Sequence, residues 1–398
     1  IFYGDASYPT AAASADVTID GEASSNYFGY SLATGDFNAD GEIDLAVGAY
    51  GYSTNTGRAY IFHNDGSIPT TAGTADVTIT GETTSNYFGY AVTAGDLNAD
   101  GETDLAVSAY RYSSDTGRAY IFHNDGSIPT TAATADVTIT GASSNHSFGS
   151  AIASGDFNAD GTIDLVVGAP SLGSDHGAAY IFHNDGSIPT AAGSADVIIS
   201  SGESSSNYFG SDITSGDFNG DGRADIVIGA YGYSTSTGRA YIFYNDGTIP
   251  TTPATADVII TGNATSDRFG STLASGDFNA DGRTDLTVGA SGYSTNNGRA
   301  YIFYNDGSYA STATSADIVL TGEAGEATND RFGSALTSGD INQDGITDLI
   351  VGAYSYSSSA GRVYGFITEL QALGEADFPA QARIKGTVKQ KGGSSVLK

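Results

Sequence analysis

Residues 28–81 read FGYSLATGDFNADGEIDLAVGAYGYSTNTGRAYIFHNDGSIPTTAGTADVTITG, and this stretch decides the fold. Four short runs rich in β-branched, aromatic and small residues lie within it: Tyr30 to Phe37, Asp44 to Ala49, Arg58 to His63 and Asp76 to Thr80. Clusters of Gly, Asn, Asp, Ser and Pro part them, which predicts four β-strands, and no 3.6-residue periodicity runs long enough for a helix. The stretch recurs. Phe-Gly pairs stand at Phe28, Phe88, Phe148, Phe209, Phe269 and Phe332, at spacings of 60, 60, 61, 60 and 63 residues. Four strands repeated at constant spacing predict an all-β fold, a β-propeller in which each copy is one blade and neighbouring blades bury each other's faces. The first strand is rich in small residues (Ser31, Ala33, Thr34, Gly35), as the crowded centre of such a fold requires.

The ends set the expected blade count. Ile1 to Tyr3 matches the third strand and Ala15 to Gly21 the fourth, so the chain opens midway through a blade. After the sixth copy's third strand, Arg362 to Phe366, Ala376 to Phe378 and Arg383 to Gly386 read as a degenerate fourth strand, and Gly392 to Lys398 resembles the opening of another copy. This predicts a single domain over 1–398 with seven blades, the seventh composite, six being the alternative. Residues 1–27 give strands three and four of the composite blade. Blades follow at 28–87, 88–147, 148–208, 209–268, 269–331 and 332–391, and 392–398 start the composite one.

The 398 residues include 54 Gly, 25 Tyr and 18 Phe, no Cys, Met or Trp, and 15 Lys and Arg against 46 Asp and Glu. A formal charge of -31 excludes a nucleic-acid binder, because such a surface repels phosphates. Without Cys there is no disulfide, thiolate metal site or cysteine nucleophile. The longest apolar runs, such as Leu165 to Ala169, fall far short of the roughly 20 residues a membrane span needs. With no Met, Ile1 is read as the start of a trimmed or mature piece.

The strongest chemical pattern lies between the first and second strands. In the first copy it is Asp36, Asn38, Asp40, Gly41, Glu42 and Asp44, a DxNxDGxxD loop. It recurs as Asp96, Asn98, Asp100, Glu102 and Asp104, as Asp156, Asn158, Asp160, Thr162 and Asp164, and as Asp217, Asn219, Asp221, Arg223 and Asp225. The last two copies are Asp277, Asn279, Asp281, Arg283 and Asp285, and Asp340, Asn342, Asp344, Ile346 and Asp348. Hard oxygens at positions 1, 3, 5 and 9, with Gly at 6 for the sharp turn, are what Ca²⁺ requires. Position 7 includes Arg and Ile, so its ligand is the backbone carbonyl. Three carboxylates in nine residues repel by roughly 1 to 4 kcal/mol per pair at about 4 Å, so a cation is expected to hold each loop, about six Ca²⁺ sites in all. An EF-hand is excluded, because its position-12 Glu is here Val47, which enters a strand. The acids before strand four and in the NDG turns after strand three read as structural.

The Phe-Gly pair, the GDFNxDGxxD loop and the Gly-Ala after strand two (Gly48-Ala49, Gly229-Ala230, Gly352-Ala353) together resemble the FG-GAP repeats of the integrin α-subunit propeller and its bacterial relatives, over residues 1–398. The resemblance implies seven blades, Ca²⁺ in the loops of one face and ligand binding by the opposite face. The chain departs from it in carrying six clear acidic loops, more than integrins have, and no Cys.

No catalytic residue is assigned. His63, His123 and His183 occupy one repeated position that becomes Tyr244 and Tyr304, which suits packing better than proton transfer. The loops between strands two and three are the candidate ligand-binding surface, through Tyr50, Tyr52, Tyr110, Tyr112, Tyr231, Tyr233, Tyr293, Tyr354 and Tyr356 among Ser, Thr, Asn and Gly. Packing between blades is the competing role for them. The expectation is an extracellular or cell-surface, calcium-stabilised, non-enzymatic adhesion or ligand-binding module for a protein or glycan on the face opposite the calcium loops. A self-assembling surface-layer or filament subunit and a glycan-binding lectin are the alternatives.

Overall fold

A computed structural model describes residues 17–200, 206–322, 329–340, 346–356, 362–369, 383–384, 389–390 and 393–394. The fold is all-β, a propeller of four-stranded antiparallel blades. The first blade is β1 (Ser31–Gly35), β2 (Asp44–Ala49), β3 (Arg58–Phe62) and β4 (Val77–Thr80), paired in chain order. The second is β5 (Val92–Gly95), β6 (Asp104–Ala109), β7 (Arg118–Phe122) and β8 (Val137–Thr140). The third is β9 (Ile152–Gly155), β10 (Asp164–Ala169), β11 (Ala178–Phe182) and β12 (Val197–Ser200). The fourth is β13 (Ile213–Gly216), β14 (Asp225–Ala230), β15 (Arg239–Phe243) and β16 (Val258–Thr261), and the fifth β17 (Phe269–Gly276), β18 (Asp285–Ala290), β19 (Arg299–Phe303) and β20 (Ile318–Thr321). The sixth has three strands among the described residues, β21 (Phe332–Gly339), β22 (Asp348–Ala353) and β23 (Arg362–Phe366).

The expected seventh blade is corrected to six. The segment read as its first strand holds β27 (Gly393–Ser394), which among the described residues pairs with β26 (Lys389–Gln390) alone. The segment read as the sixth blade's fourth strand holds β25 (Arg383–Ile384), which folds back on β24 (Thr368–Glu369) rather than on β23. Two-residue ladders are too short to make blades, and the competition for one sheet edge that argued for a seventh blade disappears. Meanwhile Asp20 bridges Thr71 as Thr80 at the end of β4 bridges Thr131, so the N-terminal piece takes a fourth-strand place. Ile1 to Tyr3 lie outside the described residues.

The chain divides into two compact units, each described by itself. One, residues 17–215 and 245–256, contains the first three blades; the other contains the fifth and sixth blades with β14 to β16. In the first, one core joins Ala59, Ile61 and Phe88 to Leu105, Val107 and Phe122, and another joins Ile121 and Ile139 to Phe148, Leu165 and Phe182. The second repeats this with Phe269, Leu286 and Phe303, and with Phe332, Leu349 and Phe366. Every blade from the first to the third thus shares a core with its neighbour, and the Phe of the Phe-Gly pair, Phe88 or Phe148, lies within each. Phe88 and Phe148 are fully buried, edge-on to Tyr120 and Tyr180 at 5.3 and 5.5 Å. The glycine before the third strand is equally fixed. Gly57 and Gly117 have φ of 84° and 81°, and a Cβ on either would strike the backbone of Phe88 or Phe148 in the next blade.

Candidate functional site

Both loop sets grow from β2-type strands, and antiparallel pairing sends them to opposite ends. Asp44 and Gly35 pair at one end of the first blade, where the acidic loop runs; Gly48 accepts from Gly29 and Tyr30 at the other, beside the tyrosine loop. Six strand residues, about 20 Å, separate them.

The acidic loops are wound around their own side chains. Asp36 accepts the Asp40 and Gly41 amides at 3.1 and 2.9 Å, Asn38 Oδ1 accepts Asp40 at 3.1 Å, and Asp40 Oδ1 accepts Glu42 at 2.8 Å. The same bonds recur around Asp96, Asn98 and Asp100, around Asp156, Asn158 and Asp160, around Asp217, Asn219 and Asp221, and around Asp277, Asn279 and Asp281. These amides hold the Asp40 and Asp100 carboxyls below the usual range; the Thr162 hydroxyl does so for Asp160. Gly41 at position 6 has φ of 90°, the turn that position demands.

Position 9 does something the sequence did not reveal. Asp44, Asp104, Asp164, Asp225, Asp285 and Asp348 are buried. Asp104 accepts Leu97 through one oxygen and Asn124 through the other, at 2.9 and 2.8 Å, and so ties the acidic loop to the NDG turn after the third strand. Asp44, Asp164 and Asp285 make the same pair of bonds. Burial pushes the Asp104 and Asp285 carboxyls up to about 6 and about 7.

Among the described residues no three His, Cys, Asp or Glu side chains converge as a ready-made metal cluster. The donor set nevertheless suits a hard cation. Its side-chain donors are carboxylate and amide oxygens, and a carboxylate oxygen that accepts one amide keeps a lone pair to give. A divalent cation bound nearby would offset the penalty that burial places on Asp104 and Asp285. Asp340, Ile346 and Asp348 are described, whereas Asn342 and Asp344 lie outside the described residues.

The tyrosines divide into two groups. Tyr52, Tyr112, Tyr233, Tyr293 and Tyr356 lie 3.5 to 3.7 Å under the guanidinium of Arg58, Arg118, Arg239, Arg299 and Arg362. Arg58 and Arg118 also reach Thr80 and Thr140 on the fourth strand, and pair with Glu22 and Glu82 at 2.7 and 2.8 Å. The third copy loses both partners together, with Leu172 and Ala178 in their places. Such a pair is a clamp between the loop and its blade.

Tyr50 and Tyr110 belong instead to a ladder of six rings with Tyr27, Tyr30, Tyr87 and Tyr90. Tyr27 stacks on Tyr50 at 4.7 Å, Tyr50 on Tyr87 at 5.3 Å, and Tyr90 meets Tyr110 at 4.3 Å. Burial raises the Tyr50 phenol well above its ordinary value and pushes Tyr110 up to about 12. Tyr231 is half-buried, and Tyr354 is exposed with Arg331 at 5.4 Å from its ring. The members that sequence reasoning missed, Tyr27, Tyr30, Tyr87 and Tyr90, flank the Phe-Gly pairs; their signal was the YFGY of the first two copies against SFGS, YFGS and RFGS later.

Between the two groups the loops of the first five copies make a left-handed turn. Ser53, Thr54 and Asn55 have φ of 46°, 57° and 62°, and Ser113, Ser114 and Asp115 follow them. This conformation costs roughly 1–2 kcal/mol per residue. It persists because the next blade fastens to it: Ser85, Tyr87 and Phe88 donate their amides to Thr54, Asn55 and Thr56.

The family model described as FG-GAP repeat matches residues 28–62, 88–122, 148–182, 209–243, 269–303 and 332–366. The chain belongs to the FG-GAP repeat family. These FG-GAP repeats are 32% identical over 234 residues to integrin alpha-5 of Xenopus laevis, covering 53% of this chain and 20% of that protein. They are 33% identical over 235 residues to integrin alpha-PS2 of Drosophila melanogaster, 55% of this chain and 16% of that protein. Phosphatidylinositol-glycan-specific phospholipase D of Bos taurus is 38% identical over 155 residues, 36% of this chain and 18% of that enzyme. The chain thus spans about a fifth of the length of these relatives. Aleuria aurantia lectin in complex with alpha-methyl-L-fucoside aligns with a TM-score of 0.49 at 12% identity, over 85% of this chain and 91% of that one. No helix of the described residues is long and apolar enough to cross a membrane.

Proposed function

We propose that this chain is a calcium-stabilised, extracellular ligand-binding or adhesion module with no catalytic role of its own. The observation that carries the reading is the division of labour between the two ends of the blades, acidic loops wound as if for a cation at one end and, in the first two blades, an aromatic surface at the other. Asp36, Asn38, Asp40, Asp44 and the carbonyl of Glu42, with their counterparts in the other copies, would hold the ion. Bound there, it supplies charge compensation and loop closure. Extracellular modules of this kind bind calcium at roughly 10⁻⁴ to 10⁻³ M, which suits a surface location. Integrin membership of the same family supports adhesion or ligand capture, by protein or glycan, at the tyrosine end. The repeats shared with a phospholipase D are a fifth of that enzyme and carry none of its activity in this reading. The test is a binding screen of the chain against matrix proteins and glycans in calcium and in chelator. Saturable, calcium-supported binding to a member of either class is expected; no binding to either class in calcium contradicts the reading.

A further inference from the structure

In a repeat, a side chain that the fold requires returns in every copy, so one that appears once is free to do something else. Arg111 is such a residue. Its counterparts are Gly51, Ser171, Gly232, Gly292 and Ser355. It is exposed yet held in place: its Nε donates to Asp115 Oδ1 at 2.8 Å, its Nη1 to the Tyr87 hydroxyl at 3.4 Å, and its guanidinium lies 5.0 Å from the Tyr87 ring centre.

These side chains edge an open cleft of about 670 Å³, lined by Glu82 to Tyr87 on one side and Arg111 to Asp115 on the other. That volume is in the range of small-ligand sites. Asn86 lines it too, 6% exposed, and its Nδ2 is buried without a hydrogen-bond partner. A buried amide donor left unspent is costly, and a ligand oxygen would satisfy it. Tyr87 connects the cleft to the ladder, since it stacks on Tyr50 at 5.3 Å and touches Tyr110 at 5.6 Å.

We infer that this cleft, with the tyrosine ladder beside it, is a binding site for a neutral saccharide. The inference rests on the ligand-binding reading above and narrows it. A pyranose offers an apolar face of C–H groups and a rim of hydroxyls, each both donor and acceptor. The Tyr87 side chain, which lines the cleft, offers its free ring surface to that face. Arg111 and Asn86 donate to hydroxyl oxygens, and Asp115 accepts from hydroxyl hydrogens. Acidic sugars are disfavoured, because Asp115 already neutralises Arg111 and the chain carries a charge of -31.

The experiment titrates the full chain, in calcium, with the methyl glycosides of galactose, glucose, mannose, fucose and N-acetylglucosamine, with sialyllactose as the acidic comparator. Tyrosine emission is the readout, since the chain has no Trp to mask it. Two variants borrow residues that other blades carry, Arg111→Ser and Tyr87→Ser, and their melts report that they fold. The expected result is saturable binding of at least one neutral glycoside, weakened tenfold or more by each variant, with sialyllactose weaker. Sugar binding unchanged in both variants, or stronger binding of sialyllactose, overturns the site as drawn. Capture of a matrix protein with no response to any sugar overturns this inference and leaves the ligand-binding reading standing.

Discussion

At the acidic end the blades are close copies, whereas at the tyrosine end they differ. Position 1 of the loop is Asp in every copy, and position 9 is a buried Asp in every copy. The residue after the second strand is Tyr50, Tyr110, Pro170, Tyr231, Ser291 or Tyr354, and the one before the Phe-Gly pair is Tyr27, Tyr87, Ser147, Tyr208, Arg268 or Arg331. The two ends are built on the same strands and the same cores, so packing is not what separates them. The proposed function accounts for the difference by requirement: a cation to hold in each blade at the acidic end, and a ligand to bind in a single place at the tyrosine end.

The shared scaffold sets the scale. Phe148→Ala removes the centre of a core that two blades share, and should lower unfolding free energy by about 3–5 kcal/mol in denaturant titrations, with or without calcium. At the acidic end, Asp104→Asn turns an amide NH₂ toward one of the buried N–H groups of Leu97 and Asn124. A loss of about 1–3 kcal/mol is expected, again by denaturant titration. No loss would show that the loop does not depend on its buried acid. At the tyrosine end the clamps and the ladder should part company. Tyr293→Ala removes a ring 3.5 Å from the Arg299 guanidinium and should cost about 0.5–2 kcal/mol while leaving ligand binding intact. Arg111→Ser should do the reverse, changing stability by less than about 0.5 kcal/mol and weakening saccharide binding tenfold or more. If Tyr293→Ala abolished binding instead, the division between clamp and contact tyrosines would fall.

Much of this was legible in the sequence. The strand from Asp44 to Ala49 is found with the boundaries its composition and flanking turns imply, and the others shift by a residue or two at their ends. The position of both loop sets followed from antiparallel connectivity alone. Three features were not legible. The left-handed turn at Ser53 to Asn55 runs against the preference of Ser53 and Thr54, and it is held by bonds within the loop together with amides from the next blade, which the sequence pattern does not show. Asp44 and its counterparts read as metal ligands by spacing, but spacing does not show that each oxygen also latches a neighbouring amide. The blade count failed at the C-terminus, where Gly393-Ser394 matched a repeat opening in composition without the Phe-Gly pair, acidic loop or apolar strand that would fix it in a sheet.

The central claim is that the acidic end is a calcium end, and the most direct measurement is the thermal melt of the chain in millimolar Ca²⁺ and in excess chelator. Each occupied loop contributes RT ln(1 + [L]/Kd), about 0.4 to 1.4 kcal/mol when calcium is one to ten times Kd, and the repeated loops add. The account predicts a melt shifted down by several degrees in chelator and restored when Ca²⁺ is returned. Superimposable melts would contradict it.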